Sequence, residues 1–280
     1  VRLHAYVLAA DPAFLAHSVR SYYDAVERIV VSYDEDALSW TGTPLPVEHC
    51  LEVLDELDVA GKCVLVPGRY ARLDHAPLDN DTFQRQEALE AASDGADWVL
   101  QLDTDEVLPS PGRLIASVDR AQDTGCEAVD YPARWLYARA GSGRFLEAST
   151  RFGRPAASFP GPLAVRAGTA LVHCRQVAAP TYRVDLRPWN TDPFRSRDAV
   201  VHEVVPREDA VLHYSWVRTD ETMRRKFGWS GHTAVYSRPA VYERWVRRAH
   251  RPVLTAVTSP LRRQDWYRLA HAPELAGGEW

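Results

Sequence analysis

Two aspartates, Asp103 and Asp105, stand two positions apart in the stretch Trp98-Val-Leu-Gln-Leu-Asp-Thr-Asp-Glu-Val107. Hard carboxylate oxygens on one loop suit Mg2+ or Mn2+, and such a cation also binds phosphate oxygens. A site of this kind neutralises charge developing on a departing nucleoside diphosphate. By itself an Asp-x-Asp pair is a weak motif, because solvated loop acids produce it by chance. Its weight depends on the elements that carry it.

Those elements read as alternating strands and helices. The apolar pattern predicts strands over 3–9, 28–34, 62–66 and 96–102. Leu15, Val19, Tyr22 and Val26 recur on one helical face. Val47, Leu51, Leu54 and Leu57 mark a second helix, and residues 82–92 a third. The alternation predicts an α/β fold, Rossmann-like, with a mostly parallel central sheet flanked by helices. Open sheets of this type bind ligands beyond the carboxyl ends of their strands. Asp11, Asp34 and Asp103 each follow a predicted strand at that end.

The segment Gly95-Ala-Asp-Trp-Val-Leu-Gln-Leu-Asp-Thr-Asp-Glu-Val-Leu108 resembles the G-x-D-W-hydrophobic-D-x-D-E segment of GT-A glycosyltransferases of the family 2 type. Phe83-Gln-Arg-Gln-Glu-Ala-Leu89 is similar to the R-N-x-A-L helix that precedes that strand, with Gln86 where Asn is usual. Val7–Val19 resembles the first strand and turn, with Ala10-Asp11 where Asn-Glu is commoner, and Val30–Asp34 resembles the second strand. The likeness covers about residues 1–110 well and the rest loosely.

The resemblance implies a GT-A fold and a metal-dependent glycosyltransferase using Mn2+ or Mg2+, inverting in the simplest reading. It would move a sugar from a nucleoside-diphosphate sugar, a UDP-sugar being favoured, to a small-molecule or glycan hydroxyl. Leu8, Ala9 and Asp11 would line the nucleoside pocket, and Asp34 would meet the base or ribose. Arg85 would approach phosphate or sugar, Asp103 the ribose and metal, and Asp105 the metal. Plainer roles stand beside these: a helix N-cap for Asp11, a turn for Asp34, an exposed helix charge for Arg85.

The second half changes character. Strand-like runs at 128–138, 164–173, 182–186, 199–205 and 211–216 alternate with Pro/Gly turns, which predicts mixed or antiparallel pairing. The expected organisation is one catalytic domain, 1–218, with a nucleotide-sugar half (1–110) and an acceptor half (111–218). A helical extension, 219–280, follows. Val200-Val-His-Glu…Val-Leu-His-Tyr-Ser-Trp216 is similar to the H-E…H-x-S region of some family 2-like transferases. His213 is then a third metal ligand, or else a core histidine. An inverting reaction needs a general base; Glu203 is the first candidate and Asp192 the second, and both also read as ordinary loop acids. Arg224, Arg225 and Lys226 could close over a diphosphate or form a solvated helix face.

Bulk properties narrow the field. Of 280 residues, 46% are hydrophobic and 25% charged, which excludes disorder and fibrous classes. The net charge of −5 implies no particular partner. Lys62 and Lys226 are the only lysines; with abundant Ala, Val and Arg, this fits a GC-rich bacterial genome. The four cysteines form no CxxC pair. No basic stripe with interleaved aromatics points to nucleic acid, and no apolar run nears the roughly 20 residues of a membrane span. Residues 1–7 read as a strand rather than a leader, so a cytoplasmic protein is expected, its oligomeric state open.

Two other readings remain. Asp103-Thr-Asp-Glu-Val107 also fits the nucleophile loop of haloacid-dehalogenase-type phosphatases, with Asp103 attacking phosphate. A degenerate module that binds nucleotide without turnover is the other. A nucleotidyltransferase would carry a Gly-rich phosphate loop near residues 8–20, where the chain has none.

Overall fold

The structure, a computed structural model, describes residues 1–192, 196 and 198–275. Strand β1 (Leu3–Leu8) leads into α1 (Leu15–Tyr22), β2 (Arg28–Asp34), α2 (Val47–Leu57), β3 (Cys63–Gly68), α3 (Pro77–Ser93) and β4 (Trp98–Gln101). Next come β5 (Glu106–Val107), α4 (Pro111–Asp123), β6 (Ala128–Asp130), β7 (Ala133–Gly141), β8 (Arg144–Ser149) and β9 (Ala164–Arg166). A hairpin of β10 (Leu171–His173) and β11 (Gln176–Val177) precedes β12 (Thr181–Asp185), β13 (Glu203–Val204) and β14 (Val211–His213). The tail holds α5 (Asp220–Trp229), α6 (Thr233–Tyr236), α7 (Pro239–Ala249), α8 (Pro252–Val257) and β15 (Trp266–His271).

Eight strands form the central sheet in the order β13-β12-β6-β9-β4-β1-β2-β3. β1 pairs in parallel with β2 and β4, β2 with β3, and β12 with β6 and β13. Among the described residues only β9 runs against the rest. The fold is therefore α/β with a mostly parallel sheet. β1 explains why helices cover both faces: Leu3, Ala5 and Val7 enter one core, while Tyr6 and Leu8 enter the other. A strand apolar on both sides is stable only between two covering layers.

The second half is mixed, as its turns suggested. A five-stranded sheet in the order β15-β8-β7-β14-β5 stands beside the first. Pro132 separates β6 from β7, so the predicted run 128–138 is two strands that belong to different sheets. The tail is mostly helical, but it also supplies β15, which pairs with β8 over six residues. Residues 276–280 of the expected extension lie outside the described residues.

Helix α3 begins at Pro77, five residues before the predicted start. Its first turns were hidden because the face they bury is polar: Asn80, Asp81, Gln84 and Arg85 are all buried. Pro77 at the first helical position needs no amide partner there, which fixes the start.

Trp98 on β4 is fully buried, and its indole donates to Gln122 Oε1 at 3.2 Å. Trp98→Ala is expected to destabilise the protein by ~3–5 kcal/mol through loss of packing. Denaturant unfolding checks this; a loss near zero would show that the sheet–α4 layer is not the main core.

Candidate active site

β1, β2 and β4 run in parallel, so the residues following them gather at one edge of the sheet. There a cavity of about 430 Å3 is lined by Leu8, Asp11, Arg85, Asp103, Asp105 and His213, and by Asp192 and Lys226 from further along the chain. Trp40, Trp135 and Trp229 add aromatic walls. Ala9 and Asp34 border a narrower cleft that shares Ala10, Trp40 and Trp229 with the main cavity.

Asp103 is the most open acid of the pair. Its Oδ1 accepts from Arg85 Nη2 at 2.8 Å, its Oδ2 lies 4.0 Å from Arg175 Nη1, and its side chain is 31% exposed. Burial raises its pKa, but Arg85 and then Arg175 outweigh this and hold it at about 2. Arg85 also donates from Nε to Asp81 at 2.6 Å, an i,i+4 pair on α3. Arg85 Nη1 is buried without a hydrogen-bond partner.

Asp105 is wholly engaged by protein. Oδ1 lies 3.2 Å from His213 Nε2, and Oδ2 accepts from Arg218 Nη2 at 3.2 Å and from Lys226 Nζ. Burial opposes its charge, yet Lys226, His213 and Arg218 hold its carboxyl well below the usual range. Arg218 bridges onward to Asp11 at 2.7 Å. Trp135 donates its indole N–H to His213 Nδ1. Glu106 Oε1 also lies 3.7 Å from Nδ1, so the ring sits between two carboxylates, with Nε2 facing Asp105.

This arrangement decides how a divalent cation could be held. His213 Nδ1 faces both the Trp135 indole and Glu106 Oε1, the latter at 3.7 Å. Asp105 Oδ2 already meets two fixed cations. Among the described residues no group of three His, Cys, Asp or Glu side chains could hold a metal. In this arrangement Asp105 and His213 face each other, and Asp105 Oδ2 is taken by Arg218 and Lys226. Asp103 lines the cavity with a partly exposed side chain, and Mg2+ needs only one or two carboxylates when substrate phosphates complete its shell.

The two base candidates separate. Glu203 lies on β13 at the far edge of the sheet, where it accepts from Ser117 Oγ at 2.9 Å and Arg120 Nη1 at 2.8 Å. It does not line the cavity, so its expected role as base is corrected: α4 recruits it for an ion pair. Asp192 does line the cavity. Asp34 accepts from four backbone amides, those of Asp36, Leu38, Tyr70 and Ala71, at 2.7–3.2 Å. It thereby shapes the loops bounding the narrow cleft.

Of the three tail cations only Lys226 reaches the site. Arg224 donates to Tyr242 Oη at 2.9 Å and Arg225 pairs with Glu221. Met223 and Phe227 set the inward face of α5, and Lys226, three residues after Met223, lies at the margin of that face. Arg175 and Arg218 were missed, and neither sits in a pattern that marks it. Arg175 forms a bidentate pair with Glu106, both contacts at 2.6 Å, and donates to the Gln101 carbonyl at 2.8 Å.

No protein-family model matches the chain, and no curated protein matches it. Among solved structures it is similar to 4-diphosphocytidyl-2C-methyl-D-erythritol synthase from Anaerococcus prevotii, with TM-score 0.33, 12% identity, and 59% of this chain and 70% of that one covered. It is also similar to CMP:2-keto-3-deoxy-manno-octonic acid synthetase complexed with CTP, with TM-score 0.33, 13% identity, and 60% and 75% covered. A third is mannose-6-phosphate isomerase from Helicobacter pylori, with TM-score 0.28, 10% identity, and 52% and 55% covered. Scores this low carry no argument about function.

The ion cluster has a pH signature. A carboxyl held below its unfolded value stabilises the fold above pH ~4, and that stabilisation is lost as the pH falls further. Lys226→Met removes the largest stabiliser of the Asp105 charge and is expected to cost ~1–3 kcal/mol at neutral pH. Urea titrations should show the gap between wild type and variant narrowing below pH ~4. A gap that widens on acidification contradicts the pairing.

Proposed function

We propose that the chain is a glycosyltransferase that takes a sugar from a nucleoside diphosphate and delivers it to a hydroxyl acceptor. The observation that carries this reading is the joining of Asp103, Arg85 and Lys226 in one cavity at the carboxyl ends of parallel strands. Arg85 lines that cavity and offers a fixed positive charge to an anionic ligand.

The nucleoside would enter the main cavity on the side of Ala10 and Trp40, with Trp40 offering a face for the base. The diphosphate would meet Arg85 and Lys226. Five carboxylates (Asp11, Asp81, Asp103, Asp105, Glu106) stand against four fixed cations (Arg85, Arg175, Arg218, Lys226), so a bound diphosphate adds to an existing negative excess. That excess favours a divalent cation, Mg2+ or Mn2+, held by Asp103 and supplying charge neutralisation to the leaving diphosphate. Asp192 would take the proton of the acceptor hydroxyl, and Trp135 would flank the acceptor.

The phosphatase reading is disfavoured by Asp105. Its second acid must give a proton to the leaving group, and Lys226, His213 and Arg218 keep Asp105 ionised. A binding-only module would share the nucleotide response but not the turnover.

A thermal melt with UDP, GDP and dTDP, each with and without Mn2+, tests the donor side, because a ligand stabilises the state it binds. UDP with Mn2+ is expected to raise the melting temperature, and Asp103→Asn to remove the metal's share of the rise. No response to any of the three nucleotides sinks the reading. On the acceptor side, Asp192→Asn is expected to lower turnover by ~10²–10⁴-fold with donor affinity nearly unchanged. If Glu203→Gln does this instead, the base is misassigned.

A further inference from the structure

The helices beyond the site carry a surface that the site does not use. Between residues 238 and 265 seven arginines stand against two acids, Glu243 and Asp265, in a chain whose net charge is −5. Asp265 is taken by Arg248 at 3.0 Å and Arg244 at 3.8 Å, while Arg247, Arg251 and Arg263 are exposed. Arg247, Arg251 and Arg262 border one open groove that also takes in Leu254.

Aliphatic side chains project beside these arginines. Helix α8 buries only Thr255, leaving Val253, Leu254 and Val257 48%, 53% and 71% exposed. Leu261, four residues past Val257, is 86% exposed. A second tip adjoins it: Arg151 Nε donates to the Pro260 carbonyl at 3.2 Å, and the next residue, Phe152, is 82% exposed. A cluster of large apolar side chains facing water marks an interaction surface.

We propose that this face docks on an anionic bilayer. Phe152, Val257 and Leu261 would enter the boundary between headgroups and acyl chains, and Arg247, Arg251 and Arg262 would meet lipid phosphates. Shallow apolar insertion and a basic rim are each too weak alone, and together they give stable peripheral attachment. Charge decides the lipid class, because the local excess is positive in a chain that is negative as a whole. Among the described residues no helix is long and apolar enough to cross a membrane, so the contact is with the surface. A single-stranded nucleic acid would ask for aromatic stacking platforms, and the projecting groups of α8 are aliphatic.

Co-sedimentation of the full chain with phosphatidylcholine vesicles, with and without phosphatidylglycerol, tests this directly. Binding is expected only when phosphatidylglycerol is present, and it should weaken as salt rises. Arg247→Gln and Arg251→Gln should each lower partitioning about fivefold. Leu261→Ser should lower it on the order of tenfold. The melting temperature and any nucleotide-induced shift should stay unchanged in all three, which separates this result from the fate of the catalytic reading. The proposal is overturned by equal or absent binding to the two vesicle types, or by variants that sediment like the parent. It is also overturned by a vesicle-free dimer that Leu261→Ser dissociates, or by retention on DNA without vesicle binding.

Discussion

The buried pair of Glu106 and Arg175 is the constraint on which the site rests. Arg175 spans both oxygens of Glu106 and also holds the Gln101 carbonyl, while Glu106 Oε2 accepts the Asp103 amide at 3.0 Å. One fork thus fixes the end of β4, the start of β5 and the turn between them. That turn aims Asp103 into the cavity and Asp105 towards the tail. Gly161 allows the fork its position: a Cβ there would lie 2.6 Å from Arg175 Cγ, at a φ of +155°. Removing one member of such a pair leaves the other charged and buried, which is far costlier than the pair itself is worth.

Around that anchor the two motif aspartates have diverged in role. Asp105 is a hub that ties the end of β1 to the tail through Arg218 and Lys226, and it faces His213 Nε2 at 3.2 Å. Asp103 pairs with Arg85 and stays 31% exposed at the cavity, where the Asp105 side chain is 7% exposed. The two members of the pair therefore differ in environment, although sequence spacing treats them alike.

Much of the fold was legible because burial writes itself into apolar periodicity. The parallel half, the helical face of Leu15, Val19 and Tyr22, and the rim of acids at the strand ends all came from that pattern. What failed to show has a common cause. The first turns of α3 bury polar residues, so no apolar stripe announced them. Glu203 looked like a base from local sequence alone, and only the sheet order puts it at the opposite edge. Arg218 and Arg175 gain their meaning from partners far away in the chain, which no local window contains. Lys226 is the intermediate case: it was one of three cations that could close over a diphosphate or face solvent, and its partner Asp105 was visible only in three dimensions.

The separation between partners has a consequence for how the protein is made. Arg218 and Asp11 are 207 residues apart, and Lys226 and Asp105 are 121 apart. Chains fold from the amino end as they leave the ribosome. The parallel strands that present Asp11, Asp103 and Asp105 can assemble while α5 is still unmade. Until residue 226 emerges, the rim is a cluster of carboxylates without two of its cations, repelling any phosphate that approaches. The two tail cations, Arg218 and Lys226, thus join the carboxylate rim in a late step of synthesis, when α5 packs against it.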